Sequence, residues 1–168
     1  MLSLGRLAAA AIMATGSTAA MAQSGNDDVV KIERAVAKYA KTLYVNKRLG
    51  LDLGILPGIT GSPPKATYRT TMHQQNLASD AGATLVSMSE VVRCATPTDP
   101  HSCTTRDVKA VLRIGVPRVE GDSATVWLYV SDSSPGGLTP ISSSDRQLLV
   151  VRDGNGWRVL RALQRRES

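Results

Sequence analysis

The apolar residues of this chain change their period part-way along, and that change decides which kind of fold is open to it. Between Val29 and Leu43 they fall at Val29, Ile32, Val36, Tyr39 and Leu43, the three-and-four spacing that lines one side of an α-helix. From Val108 onward they alternate: Val108, Ala110, Leu112, Ile114 and Val116, then Ala124, Val126, Leu128 and Val130. Alternation turns one face of a β-strand toward a core. A chain that reads helix first and strands afterwards belongs to the α+β class. The expected form is amphipathic helices packed on one face of a curved, mainly antiparallel sheet of four to five strands.

Local signals place the elements. Asn26, Asp27 and Asp28 stand where side-chain oxygens satisfy the free amides of a helix start, and Lys31, Arg34, Lys38 and Lys41 occupy the solvent side. The glycines and prolines between Gly50 and Pro64 exclude continuous helix, so this interval reads as a structured loop anchored by Leu51, Leu53, Ile55 and Leu56. A second helix is expected over Tyr68 to Ala81, ended by Gly82. A strand then ends near Val91 to Cys94, and Gly121 and Asp122 supply a turn before the strand Ala124 to Val130. Ser131 to Ser144 reads as a flexible loop. Arg146 to Val151 pairs with Trp157 to Leu163 across Asp153-Gly154-Asn155-Gly156, the strongest short-range hairpin signal in the chain.

Met1 to Ala22 has the layout of a secretion signal: one cation, Arg6, an apolar stretch from Leu7 to Ala14, and the small-residue end Ala20-Met21-Ala22. Cleavage after Ala22 is expected, leaving 23–168 as a single domain in the periplasm or outside the cell. Gly16, Ser17 and Thr18 interrupt the apolar run, so it falls short of the roughly 20 residues of a spanning helix, and no later segment approaches that length. No cysteine lies near the cleavage site to be acylated. The formal net charge is +6, but the basic residues are dispersed and few aromatics accompany them, which argues against nucleic-acid binding. Their densest group, Arg158, Arg161, Arg165 and Arg166, reads as a solvated strand end.

An oxidising compartment favours a disulfide between Cys94 and Cys103, which flank a segment holding Pro97 and Pro100. Zinc held by Cys94, His101 and Cys103 lacks a fourth ligand and a knuckle spacing, and a redox-active pair would have two intervening residues. The serines between Ser131 and Ser144 have neither a nucleophile elbow nor a histidine partner, and no glycine pattern cradles a phosphate. No cofactor and no metal are implied.

The order of elements resembles the nuclear transport factor 2-like, or cystatin-like cone, superfamily in its small exported bacterial members. The resemblance covers Val29 to Leu163. It rests on the amphipathic first helix, the strands Val108 to Val116 and Ser123 to Val130, and the terminal hairpin Val150-Val151-Arg152-Asp153-Gly154-Asn155-Gly156-Trp157-Arg158-Val159. The glycine-proline interval after the first helix departs from the superfamily, which often has a further helix there. The superfamily includes isomerase-like and dehydratase-like enzymes beside members that only bind ligands or proteins, so the fold alone fixes no activity.

Three readings follow. The first is a non-catalytic exported module that binds a small apolar ligand or a protein, with Tyr39, Trp127, Tyr129 and Trp157 shaping a pocket or interface. In it Thr125, Trp127 and Tyr129 lie on the strand face opposite Val126 and Leu128 and supply a surface for homodimerisation. The second is an isomerase- or dehydratase-like enzyme moving a proton on a small apolar substrate. His73 and Asp80 are its candidate participants, although seven residues, about 10 Å along a helix, separate them. The third is a structural envelope component.

Overall fold

The computed structural model describes residues 17–45, 47–54, 69–96, 102–132, 142–154 and 156–167. Its helices are α1 (Ser17–Leu43), α2 (Thr71–Ala81) and the single turn α3 (Met88–Val91). Three short strands precede the long ones: β1 (Leu49–Leu51), β2 (Ala83–Leu85) and β3 (Val92–Cys94). Then come β4 (Cys103–Thr105), β5 (Ala110–Ile114), β6 (Arg118–Glu120) and β7 (Ser123–Asp132). The hairpin β8 (Ser142–Asp153) and β9 (Gly156–Glu167) completes the chain. The α+β class holds. Among the described residues the main sheet has seven strands, in the order β2-β1-β5-β7-β8-β9 with β6 beside β7, and β3 and β4 pair separately.

One unexpected strand, β1, lies at the edge of the interval that reads as a loop. Leu49, Gly50 and Leu51 are buried on every side and run parallel to both β2 and β5, so the sheet is mixed. Burial on both faces removes the alternation by which a strand is recognised. Gly50 is required by its neighbour: a Cβ there would stand 2.7 Å from Val86 Cγ2. Ile55 and Leu56 lie outside the described residues.

The helix α1 begins earlier than the sequence places it and runs through Asn26, Asp27 and Asp28, so these three do not cap it. Asp28 instead clamps the terminal hairpin. It accepts from Arg152 Nη2 at 2.8 Å and from Trp157 Nε1 at 3.1 Å, while the Arg152 guanidinium lies 4.7 Å from the Trp157 ring centre. The bonds from Arg152 and then Trp157 hold the Asp28 carboxyl below its ordinary pKa. The second helix starts at Thr71, capped by Thr70, whose hydroxyl accepts from His73 N at 3.2 Å, and ends on left-handed Gly82 as expected.

Ile32, Val36, Ala37 and Ala40 of α1 meet Leu77 and Ala81 of α2 over the sheet. The sheet supplies Leu51, Leu112 and Ile114, the β7 row Ala124, Val126, Leu128 and Val130, and Leu148, Val150 and Trp157. The alternation of β7 is seen residue by residue, with these four positions buried. Cover is not confined to one face. Val111 points away from this core and is fully buried under Val91 and Val108, with Val86, Met88 and Val92 around them. That smaller cluster seats α3 and the β3–β4 hairpin on the opposite side.

The edge strand β9 carries two register shifts against β8, one between Gln147 and Leu148 and one between Leu149 and Val150. The residues left without a partner include Leu160 and Leu163, both exposed. Bulges and the exposed arginines of this strand discourage pairing with another sheet edge.

Gly50→Ala should lower stability by about 1–3 kcal/mol, because the added methyl overpacks a position whose neighbour, Val86, is branched and held in the second cluster. Urea unfolding of the two proteins measures it; an unchanged midpoint would show that β1 tolerates a side chain.

Candidate functional site

A carboxylate lies inside the α1–α2 interface. Glu33 precedes Val36 by three residues and Ala37 by four, so it shares their helix stripe, and its side chain has 0% exposure. Its Oε1 accepts from Arg69 Nη2 at 2.5 Å and from Arg69 Nε at 3.1 Å, and its Oε2 lies 2.8 Å from His73 Nε2. Arg69 Nη2 also donates to the carbonyl of Ile114 at 2.7 Å. One buried carboxylate thus joins α1, the start of α2 and the end of β5. Burying a carboxylate costs several kcal/mol unless close opposite charge and hydrogen bonds offset it, and here both oxygens are engaged.

His73 therefore meets an acid, but not Asp80. Asp80, further along α2, accepts from Arg34 Nε at 2.6 Å, and that bond raises the arginine's pKa. Adjacent residues of α1, Glu33 and Arg34, thus hold two separate points of α2. Asp80 and His73 each serve a different helix–helix pair, which is why they do not form a dyad with one another. Glu33 is the residue that the sequence reading missed. Its signal was available: an acid in a stripe otherwise made of Ile32, Val36, Ala37 and Ala40.

A second set of polar groups surrounds a cleft of about 540 Å³ at the C-terminal end of α1. Strand register builds it. On β7 the core row runs Val126, Leu128, Val130, and their partners on β8 are Leu148, Arg146 and Ser144. The face that is apolar at Val150 and Leu148 continues as Arg146 and Ser144, opposite which stand Arg165 and Glu167 on β9. Tyr44 and Val130 complete the apolar part of the wall. Two ion pairs border the cleft: Arg165 with Glu167, and Asp132 with Lys47. Arg146 Nε and Ser144 Oγ are buried with no hydrogen-bond partner among the described residues. The arrangement offers donors and a cation.

The remaining expected site residues are placed as follows. Cys94 and Cys103 are joined in a disulfide across the directly paired positions of β3 and β4. Tyr39 packs against the main core and Trp157 lies within it, so neither shapes the described cleft. Trp127 and Tyr129 stack on the sheet face away from α1, ring centres 6.0 Å apart, with the Arg166 guanidinium 5.4 Å from the Trp127 centre. Burial, and then the charge of Asp145, pushes the Tyr129 hydroxyl pKa up; burial likewise raises that of Asp145. His101 lies outside the described residues. Among those described, no group of three or more His, Cys, Asp or Glu side chains is placed to hold a metal, and no helix is long and apolar enough to cross a membrane.

No protein-family model matches the chain, and no curated protein or solved structure is significantly similar to it.

Glu33→Ala should cost about 3–5 kcal/mol, since it leaves Arg69 buried without its carboxylate. Replacing both partners, Glu33→Met with Arg69→Met, should recover most of that loss. Denaturant unfolding of the two variants separates a buried ion pair from a simple packing defect, for which the double variant would be the worse of the two.

Proposed function

We propose that this chain is an exported, non-catalytic binding module of the cone-like kind its sequence resembles, and that it holds a small ligand in the cleft between the end of α1 and strands β7 to β9. The observation that carries this reading is that the core face of β8 runs on into the cleft as Arg146 and Ser144. A volume of about 540 Å³ falls within the usual range of small-molecule sites. The wall made by Tyr44 and Val130 suits the apolar part of a ligand.

Catalysis by proton transfer is disfavoured by position. A general base has to come within hydrogen-bonding reach of its substrate, whereas His73 is spent on Glu33 between the helices and neither residue lines this cleft. Export agrees with the Cys94–Cys103 bond, since disulfides persist in oxidising compartments. Cleavage after Ala22 falls within α1 but ahead of Ile32, the first core residue among those described, so the described core contacts of the helix are kept.

A second reading, a homodimer formed through the outer sheet face, is favoured by the Trp127–Tyr129 stack lying on the side away from α1. In it the second copy covers these rings and the charges of Arg166 and Asp145 beside them. A Trp127→Lys substitution should then turn a sedimenting dimer into a monomer without loss of fold, and a wild-type chain that stays monomeric at high concentration removes the idea.

The binding reading is tested on chain recovered from an exporting bacterial host. Native mass spectrometry should find a polypeptide beginning at Gln23, with one disulfide, carrying a small adduct that denaturation releases. Backbone NMR shifts at Val130, Ser144 and Arg146 should move when a fragment library is added. No adduct together with no shift at these residues counts against a ligand site.

A further inference from the structure

We infer that the ligand of this cleft is an organic anion, a small molecule with a carboxylate or similar oxyanion at one end, and that Arg146 is the residue that grips it. The inference rests on the reading of the cleft as a ligand site and names the chemistry that fits it.

Charge is the first part of the argument. Within the cleft, Glu167 neutralises Arg165 and Lys47 neutralises Asp132. Arg146 is left as the one cation with no acidic partner among the described residues. It also stands directly opposite Arg165 across β8 and β9, and like charges at paired positions repel. An anion between them would turn that repulsion into a bridge.

Hydrogen bonding is the second part. Arg146 Nε and Ser144 Oγ are both buried, and neither has an acceptor or donor among the described residues. A buried donor left without a partner is costly, so such atoms point to a missing group. The two side chains lie two positions apart on one strand, hence on one face, and both border the cleft. A guanidinium presents paired N–H groups that match the two oxygens of a carboxylate, and a serine hydroxyl adds one more donor.

Shape is the third. Tyr44 and Val130 face the same space, so the charged end on Arg146 leaves an apolar surface for the body of the molecule. A free inorganic anion would satisfy the donors and leave this wall unused. An aromatic or short aliphatic carboxylate uses both.

Benzoate is the probe, with benzamide as its neutral counterpart and inorganic phosphate as an anion without an apolar body. Titration of the exported chain, followed by calorimetry and by the backbone shifts of Ser144 and Arg146, should give saturable benzoate binding. Benzamide and phosphate should each bind at least tenfold more weakly. Arg146→Gln should lose benzoate binding at least tenfold, Arg146→Lys should fall between, and Arg118→Gln on the exposed strand β6 should bind as the wild type does. Because Arg146→Gln removes an uncompensated charge, its melting temperature in low salt should be equal or higher, so lost binding is not mistaken for lost fold. Equal binding of benzoate and benzamide, or wild-type affinity in Arg146→Gln, overturns the anion assignment while leaving the cleft a ligand site. Shifts at the cleft with neutral fragments only do the same. No response at Ser144 and Arg146 to any probe overturns both readings. Phosphate binding as tightly as benzoate overturns the organic part of the assignment.

Discussion

A carboxylate with no exposed surface has to be answered by its surroundings, and the arrangement of the helices over this sheet answers to Glu33. Taking such a group out of water costs several kcal/mol unless donors converge on it. Arg69 reaches it from just ahead of α2 and His73 from the first turn of α2. Thr70 caps the helix between them, so the same short segment both starts α2 and supplies the charge partners. Because Arg69 also binds the carbonyl of Ile114, the helix start cannot slide along α1 without leaving β5. Leu77 and Ala81 supply apolar contact further along, but apolar contact is non-directional. The ion pairs give it a register, with Arg34 and Asp80 as a second point of attachment.

The sheet beneath carries an apolar cluster on each face. Its larger core lies under α1 and α2, and the smaller cluster around Val111 lies under α3 and the disulfide-joined hairpin. Asp52 links the two levels: it follows β1, accepts from Met88 N at the start of α3 at 3.2 Å and from Gly54 N at 2.8 Å. The cleft arises where the long strands β7, β8 and β9 outrun the helix that covers them. Tyr44, just past the end of α1, lines the cleft together with Val130, Ser144 and Arg146 of the strands.

How much of this the sequence discloses depends on whether a residue's partners are near or far in the chain. The α1 stripe, the Gly82 cap, the alternation of β7 and the turn at Gly154 are each set by neighbours within a few positions, and all four are present in the structure. The Cys94–Cys103 bond belongs with them, because compartment and spacing suffice to suggest it. What escaped depends on distant contacts. Strand β1 is three residues long and buried all round, so it has no period to read. Asp28 resembled a cap because Trp157, its partner, is 129 positions away. The polar row that lines the cleft was missed for a smaller reason. Strand β8 starts at Ser142 rather than at Arg146, and only in the longer strand does Ser144 join the row of Arg146, Leu148 and Val150.

That row holds residues the fold requires beside one it does not. Position after position on the core faces of β5 and β7 is apolar, and the polar groups that do enter the interior, Glu33, Asp52 and His73, have partners. A sequence that specifies one structure is consistent across its levels, and departures collect where function is placed. Arg146 is such a departure. It occupies a core register, faces another arginine across the strand pair, and carries a buried nitrogen with no partner among the described residues. A leucine there would extend the core toward Tyr44 and remove both costs. The arginine leaves an opening with a charge in it, and packing gains nothing from either. On the proposed reading the gain lies in what enters the cleft, where a positive group at the wall selects for an anion.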